Sequence, residues 1–108
     1  MKSKNAISAL LALAQESRLV IFRTLVQVGP SGMSAGKIGQ VTEIAPSSIS
    51  FHMKELVNAE MVTARKDGRF IIYTANFDTM SELIAFLTEN CCGGNPCLST
   101  STQTCVTI

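Results

Sequence analysis

Hydrophobic residues recur at helical spacing along much of this chain, and two later stretches are rich in residues that favour strands. The pattern predicts helices over residues 4–14, 16–28, 35–41, 46–59 and 78–90. Residues 62–65 and 70–74 are rich in β-formers, and Asp67-Gly68 between them is typical of a tight hairpin turn. Ser34 and Asp78 are predicted to cap the third and fifth helices. This order predicts a mainly α winged helix-turn-helix fold with a β-hairpin wing.

Three of the predicted helices carry a clear apolar stripe. In the fourth helix the stripe is formed by residues spaced four, three and one apart, and it predicts the buried face: Ile49, Met53, Leu56 and Val57. The first and fifth helices carry comparable stripes, formed by Ile7, Leu10, Leu11 and Ala14 and by Met80, Leu83, Ile84 and Leu87.

Composition and charge describe one small domain. The chain has 108 residues and is 46% hydrophobic, which is high for its size and predicts that some apolar surface enters an oligomer interface. Residues 1–76 hold nine Lys/Arg and five Asp/Glu, a net charge of +4, whereas residues 77–108 hold no Lys/Arg and three acids, a net charge of −3. We therefore expect a basic body, residues 1–90, and a separate cysteine-containing tail, residues 91–108.

The amino-terminal segment has a second interpretation as a secretory signal. Lys2 and Lys4 precede an apolar run that ends in Ala12-Leu13-Ala14, which resembles a cleavage site. The run is short, however, and its residues also fit an amphipathic helix. No stretch is long enough to span a membrane. We expect a cytoplasmic protein.

The fourth helix and the hairpin carry the residues expected to bind DNA. One α-helix fits the major groove, and small hydroxylated side chains near its start allow close approach to phosphates and base edges. The predicted DNA-binding residues share an exposed position on this helix or flank the hairpin turn: Ser47, Ser48, Ser50, His52, Lys54, Arg65, Lys66 and Arg69. Ser47 and Ser48 have a simpler interpretation as caps, and His52 as a solvated surface residue.

All four cysteines lie in the last eighteen residues, three of them in Cys91-Cys92-Gly93-Gly94-Asn95-Pro96-Cys97. The glycines and the proline allow the chain to reverse so that three sulfurs meet. Thiolates select soft ions, and a closed zinc site normally has four ligands. A three-sulfur site suits an ion with a lone pair, such as trivalent arsenic or antimony. Cys105 is interpreted as a bystander, and a tail of free thiols without a ligand is the alternative.

Residues 46–56, Ala59-Glu60-Met61-Val62 and Arg65-Lys66-Asp67-Gly68-Arg69 resemble the recognition helix and wing of the ArsR/SmtB family of metal-sensing repressors. The resemblance implies a homodimer built from the first and last helices, which binds double-stranded operator DNA without ligand and releases it when an ion binds. It implies no enzymatic activity. The family's best-known site has cysteines in the third helix, where this chain has none. The tail resembles that of arsenic sensors whose cysteines lie just past the last helix.

These features together predict an arsenite-responsive repressor with Cys91, Cys92 and Cys97 as ligands for As(III), or for Sb(III). A regular helix points successive side chains about 100° apart, so we expect ion binding to unwind the end of the fifth helix. The alternative is a redox-sensing repressor in which one of the paired cysteines forms a disulfide with Cys97. A small thiol enzyme is disfavoured because the chain has no Cys-x-x-Cys motif and no phosphate-binding loop.

Overall fold

The computed structural model describes residues 1–94 and contains all five predicted helices together with the predicted hairpin. The elements in chain order are α1 (Ser3–Leu13), α2 (Glu16–Val28), β1 (Met33–Ser34), α3 (Ala35–Thr42), α4 (Pro46–Asn58), β2 (Val62–Asp67), β3 (Phe70–Ala75) and α5 (Phe77–Leu87). A short turn, Cys91–Gly94, follows α5. The winged helix-turn-helix prediction is confirmed. None of the described helices is long and apolar enough to cross a bilayer.

The helix ends agree with the sequence at α3 and differ at α5. The Ser34 hydroxyl accepts a hydrogen bond from the Lys37 N–H at 3.2 Å, as predicted for a cap. The predicted cap at Asp78 is wrong, because Asn76 accepts from the Thr79 N–H at 3.1 Å and the helix begins one residue earlier. The predicted end at residue 90 is also wrong: α5 ends at Leu87, four residues before Cys91.

The wing is part of a three-stranded antiparallel sheet in the order β1-β3-β2. In the hairpin, Asp67 pairs with Phe70, and Val62 pairs with Ala75 at the base. The short strand β1 was not predicted, because two residues form no periodic pattern. It pairs Met33 with Tyr73 and thereby joins the base of the wing to the start of α3.

The core lies between α2, α3, α4 and the base of the wing. Its fully buried side chains come from each of these elements: Ile21, Leu25, Ile38, Ile49, Met53, Leu56, Met61 and Val62. The first helix packs differently from its predicted stripe. Its buried residues are the small ones, Ala6, Ala9 and Ala12, while the larger Ile7, Leu10 and Leu11 are exposed. Alanines allow α1 to approach the core closely and leave an apolar outer face.

A buried histidine connects α4 to the junction between α1 and α2. His52 is only 9% exposed, and its Nδ1 lies 3.4 Å from a terminal nitrogen of Arg18. The Arg18 Nε donates to the backbone carbonyl of Ala12 at 2.6 Å. Because arginine can only donate, the contact requires His52 to be neutral, with its proton on Nε2. This Arg18–His52 clamp sets the position of α4 relative to the first two helices.

Gly32 is predicted to tolerate no side chain. It has a φ of +73°, and an added Cβ would lie 2.6 Å from both the Tyr73 carbonyl oxygen and the Thr74 hydroxyl. We expect Gly32→Ala to lower the free energy of unfolding by about 1–3 kcal/mol more than Gly68→Ala, because overpacking adds to the conformational cost. Gly68 is the matched control, since its φ is +66° and a Cβ there meets open space. Urea unfolding of both variants is the measurement, and equal stabilities would contradict the predicted clash.

The stability of the domain should depend on the protonation of His52. Burial lowers the pKa of His52 below its ordinary value of 6.5, and the charge of Arg18 lowers it further. The unfolded chain therefore binds this proton at a higher pH than the folded protein does. We expect full stability above pH 6.5 and a loss of stability as the pH falls from 6.5 through the lowered pKa.

The chain contains a single histidine, so the imidazole signals in an NMR titration report this pKa without ambiguity. His52→Asn keeps an acceptor near the position of Nδ1 and should remove the pH dependence in that window. An imidazole that titrates at 6.5 or above in the folded protein would be inconsistent with the clamp.

Candidate DNA interface and cysteine site

The outer face of α4 presents small hydroxyls and one lysine to solvent. Ser47, Ser48, Ser50 and Lys54 are all exposed. The helix begins at Pro46, and the residue in the capping position is Ala45, whose side chain has no acceptor. The interpretation of Ser47 and Ser48 as caps is therefore wrong, and their hydroxyls lie on the solvent side of the first turn.

The predicted position of His52 on this outer face is wrong, because the side chain is buried in the clamp with Arg18. A residue at position 52 follows Ile49 by three and precedes Leu56 by four, so it shares their inward face. The exposed aromatic residue is its neighbour Phe51, which is 57% exposed. Its spacing of four from Ser47 and three from Lys54 is the sequence signal that identifies it.

The wing presents two of its three predicted cations freely. Lys66 and Arg69 are exposed on either side of the Asp67-Gly68 turn. Arg65 has a structural partner instead. One of its terminal nitrogens donates to the Thr74 hydroxyl at 3.1 Å, and the other donates to the Ser31 carbonyl at 3.0 Å. These bonds fasten the wing to the loop before β1, which leaves the guanidinium of Arg65 less available for its predicted DNA contact.

The two adjacent cysteines lie in the turn after α5, with their sulfurs 3.4 Å apart. The Cys91 N–H donates to the Thr88 carbonyl at 2.9 Å, which ties the turn to the end of the helix. Cys92 has a φ of 56° and a ψ of 37°, a left-handed conformation that side chains seldom adopt. This conformation breaks the helical spacing and brings the two sulfurs together. The expected unwinding of α5 is therefore unnecessary, because the helix has already ended at Leu87.

The separation of these sulfurs is one at which two thiolates chelate a single ion, once Cys92 is reduced. Two bonds of about 2.3 Å, the length of a zinc–thiolate bond, place their sulfurs about 3.3 Å apart when they meet at about a right angle. Cys91 is a free thiol, and Cys92 is disulfide-bonded. Within residues 1–94, no three His, Cys, Asp or Glu side chains are grouped as a metal site. The remaining predicted ligand, Cys97, and the predicted bystander, Cys105, lie outside the described residues.

An apolar surface lies next to this site. Ile84 and Leu87 of α5 are exposed, although Leu83, directly before Ile84, is buried. Leu10 and Leu11 of α1, which packs beside α5, are exposed as well. We call this set of exposed residues, together with Ile7, the α1–α5 face.

Comparisons with known proteins agree with this architecture. A family model described as a helix-turn-helix domain matches residues 13–65. The chain is 38% identical over 68 residues to YceK, an uncharacterized HTH-type transcriptional regulator of Bacillus subtilis (strain 168), covering 63% of this chain and 67% of that protein. It is 30% identical over 81 residues to the arsenical resistance operon repressor of the same organism, covering 75% and 73%.

Among solved structures, the ArsR-like transcriptional regulator from Rhodococcus sp. RHA1 matches with a TM-score of 0.70 and 25% identity, covering 78% of this chain and 76% of that one. The chain is a DNA-binding transcriptional regulator and belongs to the ArsR family.

Proposed function

We propose that this protein is an arsenite-responsive repressor. It binds double-stranded operator DNA as a homodimer and releases the DNA when As(III), or Sb(III), is held by the thiolates of Cys91, Cys92 and Cys97. The observation that carries the proposal is the 3.4 Å separation of the Cys91 and Cys92 sulfurs in a turn directly after the last helix. The similarity to an arsenical resistance operon repressor supports the choice of ion.

The proposed DNA interface consists of the exposed polar residues of α4 and the free cations of the wing: Ser47, Ser48, Ser50, Lys54, Lys66 and Arg69. Their exposure supports the assignment, and the net charge of +4 over residues 1–76 favours a polyanion as partner. The serines and Lys54 would enter the major groove. Lys66 and Arg69 would contact the backbone beside it.

The homodimer is proposed to form through the α1–α5 face. A stable dimer interface needs contiguous apolar surface, and this face supplies five exposed aliphatic side chains from two adjacent helices. The dimer would set the distance between its two α4 helices. The two α4 helices can bind both operator half-sites at once only when that distance matches one turn of DNA, roughly 34 Å.

The proposed release uses the position of the cysteine turn. The turn is bonded to the end of α5 through the Cys91 N–H and the Thr88 carbonyl, next to the exposed Leu87. Drawing three thiolates together would shift the end of α5 at the dimer interface and so change the spacing of the α4 helices. A coupling of about 1–3 kcal/mol between the two sites is typical of allosteric proteins. In this scheme residues 1–90 bind DNA and dimerise, residues 91–108 sense the ion, and the protein acts in the reducing cytoplasm.

A redox-sensing repressor is the second candidate, and the disulfide at Cys92 favours it. Disulfide formation would constrain the same cysteine turn that ion binding constrains, and it would therefore affect the same end of α5. The two candidates predict different inducers. An arsenite sensor responds to arsenite in the presence of a phosphine reductant, whereas a redox sensor responds to peroxide and only without reductant.

The cysteine assignment predicts a defined mutational pattern. Cys91→Ser, Cys92→Ser and Cys97→Ser should each leave operator affinity unchanged and abolish release by arsenite, because two sulfurs hold the ion less well than three. Cys105→Ser is the control and should respond normally. The measurement is fluorescence anisotropy of labelled operator DNA, titrated with arsenite under phosphine reductant. A full response in the Cys97→Ser protein would refute the assignment.

The two arginines of the wing should behave differently. Arg69→Ala should weaken binding to all sequences and reduce the slope of log affinity against log salt by about 0.9, as expected when one phosphate contact is lost. Arg65→Ala carries the same change on the same hairpin, but its guanidinium bonds to Ser31 and Thr74. It should lower the free energy of unfolding by about 1 kcal/mol and leave the salt slope unchanged. Equal salt slopes for Arg69→Ala and the wild type would exclude Arg69 from the interface.

A further inference from the structure

Phe51 is an exposed aromatic residue at the centre of the proposed reading surface. It is 57% exposed, with Ser47 and Ser48 one turn before it and Lys54 one turn after it on the same side of α4. The opposite side of the helix is buried at Ile49, Met53 and Leu56. Phe22, by contrast, lies in the core. An aromatic ring in water forgoes the free energy of burial, and this one is surrounded by polar neighbours.

The ring of Phe51 is held in a defined place. It packs edge-on against the imidazole of His52, with ring centroids 5.7 Å apart and planes inclined by 62°. His52 is in turn fixed by Arg18, which is anchored to the Ala12 carbonyl. The Arg18–His52 clamp therefore holds the imidazole against which the Phe51 ring packs. The ring projects from α4 and does not need DNA to order it.

The chemistry of the ring limits what it can read in DNA. The major groove displays hydrogen-bond donors and acceptors together with one apolar group, the C5 methyl of thymine. A phenyl ring can neither donate nor accept a conventional hydrogen bond, so the methyl is the feature it matches. We propose that Phe51 is a specificity-determining residue that contacts a thymine methyl in each operator half-site. The inference rests on the proposed function, in which α4 enters the major groove.

Phe70 provides a matched comparison on the same molecule. It is 64% exposed at the tip of the wing and pairs with Asp67 beside the turn. The wing is proposed to contact the backbone beside the major groove, where no thymine methyl is displayed. Phe51 and Phe70 thus offer the same side chain at similar exposure in two different positions relative to the DNA.

The test removes the methyl and the ring separately. A duplex is first selected by the wild-type protein from a random library, and each thymine is then replaced in turn, symmetrically in both half-sites, by deoxyuridine. At one symmetric position the replacement should weaken wild-type binding by about fourfold for each methyl lost. Phe51→Ala should bind the thymine duplex about as weakly and should not distinguish thymine from deoxyuridine at that position. Phe70→Ala should retain the full discrimination.

The outcomes separate this inference from the function on which it rests. If the Phe51→Ala protein keeps the wild-type discrimination, or if no deoxyuridine position weakens the wild type, the inference is overturned. The proposed interface is examined in parallel with Ser48→Ala and Lys54→Ala. If these variants change affinity or preference while Phe51→Ala does not, α4 remains the reader and the Phe51 contact alone fails. If none of the three has an effect, α4 is not the reader and both fail. Thermal unfolding confirms that each variant is folded.

Discussion

The burial of one side of α4 is the constraint on which the rest of this small domain depends. Ile49, Met53 and Leu56 are almost completely buried in the shared core. Each such side chain contributes about 1.5–3 kcal/mol relative to exposure, in a protein class whose total stability is about 5–15 kcal/mol. The inward face therefore fixes the rotation of the helix about its axis. Because the rotation is fixed, the identity of the outward residues is fixed as well, and α4 presents one constant surface to solvent.

Polar contacts extend this constraint to the neighbouring elements. The Arg18–His52 clamp joins α4 to the carboxyl end of α1 through the Ala12 carbonyl. On the other side, Arg65 joins the wing to the loop that precedes β1. Part of the α1–α5 face belongs to α1, the helix that also carries Ala12. Only a few contacts therefore separate the proposed dimer interface from the proposed reading helix. In a domain of this size, a displacement of α5 can be transmitted to α4 through these few contacts.

Hydrophobic periodicity predicted the helices, because each buries one side against a common core. The β-formers on either side of Asp67-Gly68 predicted the hairpin, whose strands are fully buried only at their base. Prediction failed where a choice between faces depended on partners remote in sequence. His52 was assigned to the outer face although its spacing from Ile49 and Leu56 is that of the inward face, and the sequence does not reveal that Arg18, 34 residues earlier, supplies its partner. Nor does the sequence reveal that Ser31, 34 residues before Arg65, accepts one of its hydrogen bonds.

The first helix and the cysteine turn show the same limits of prediction. The stripe of α1 predicted an amphipathic helix, but not that its alanines would pack inward and its large residues outward. The grouping of cysteines was visible in the sequence. The left-handed Cys92 that brings two sulfurs together was not, because such conformations depend on the local backbone and have no residue signature outside glycine and asparagine.

The cysteine turn lies outside the packed body, and this has an evolutionary consequence. None of the described residues from 91 to 94 is buried, so substitutions there remove little of the apolar contact that stabilises the fold. Sequence change in this segment is thus relieved of the selection for stability that restricts the core. Under the proposed function, new arrangements of ligands can be sampled after α5 while the proposed reading helix stays intact, and the same body can acquire a different inducer through changes in a few residues.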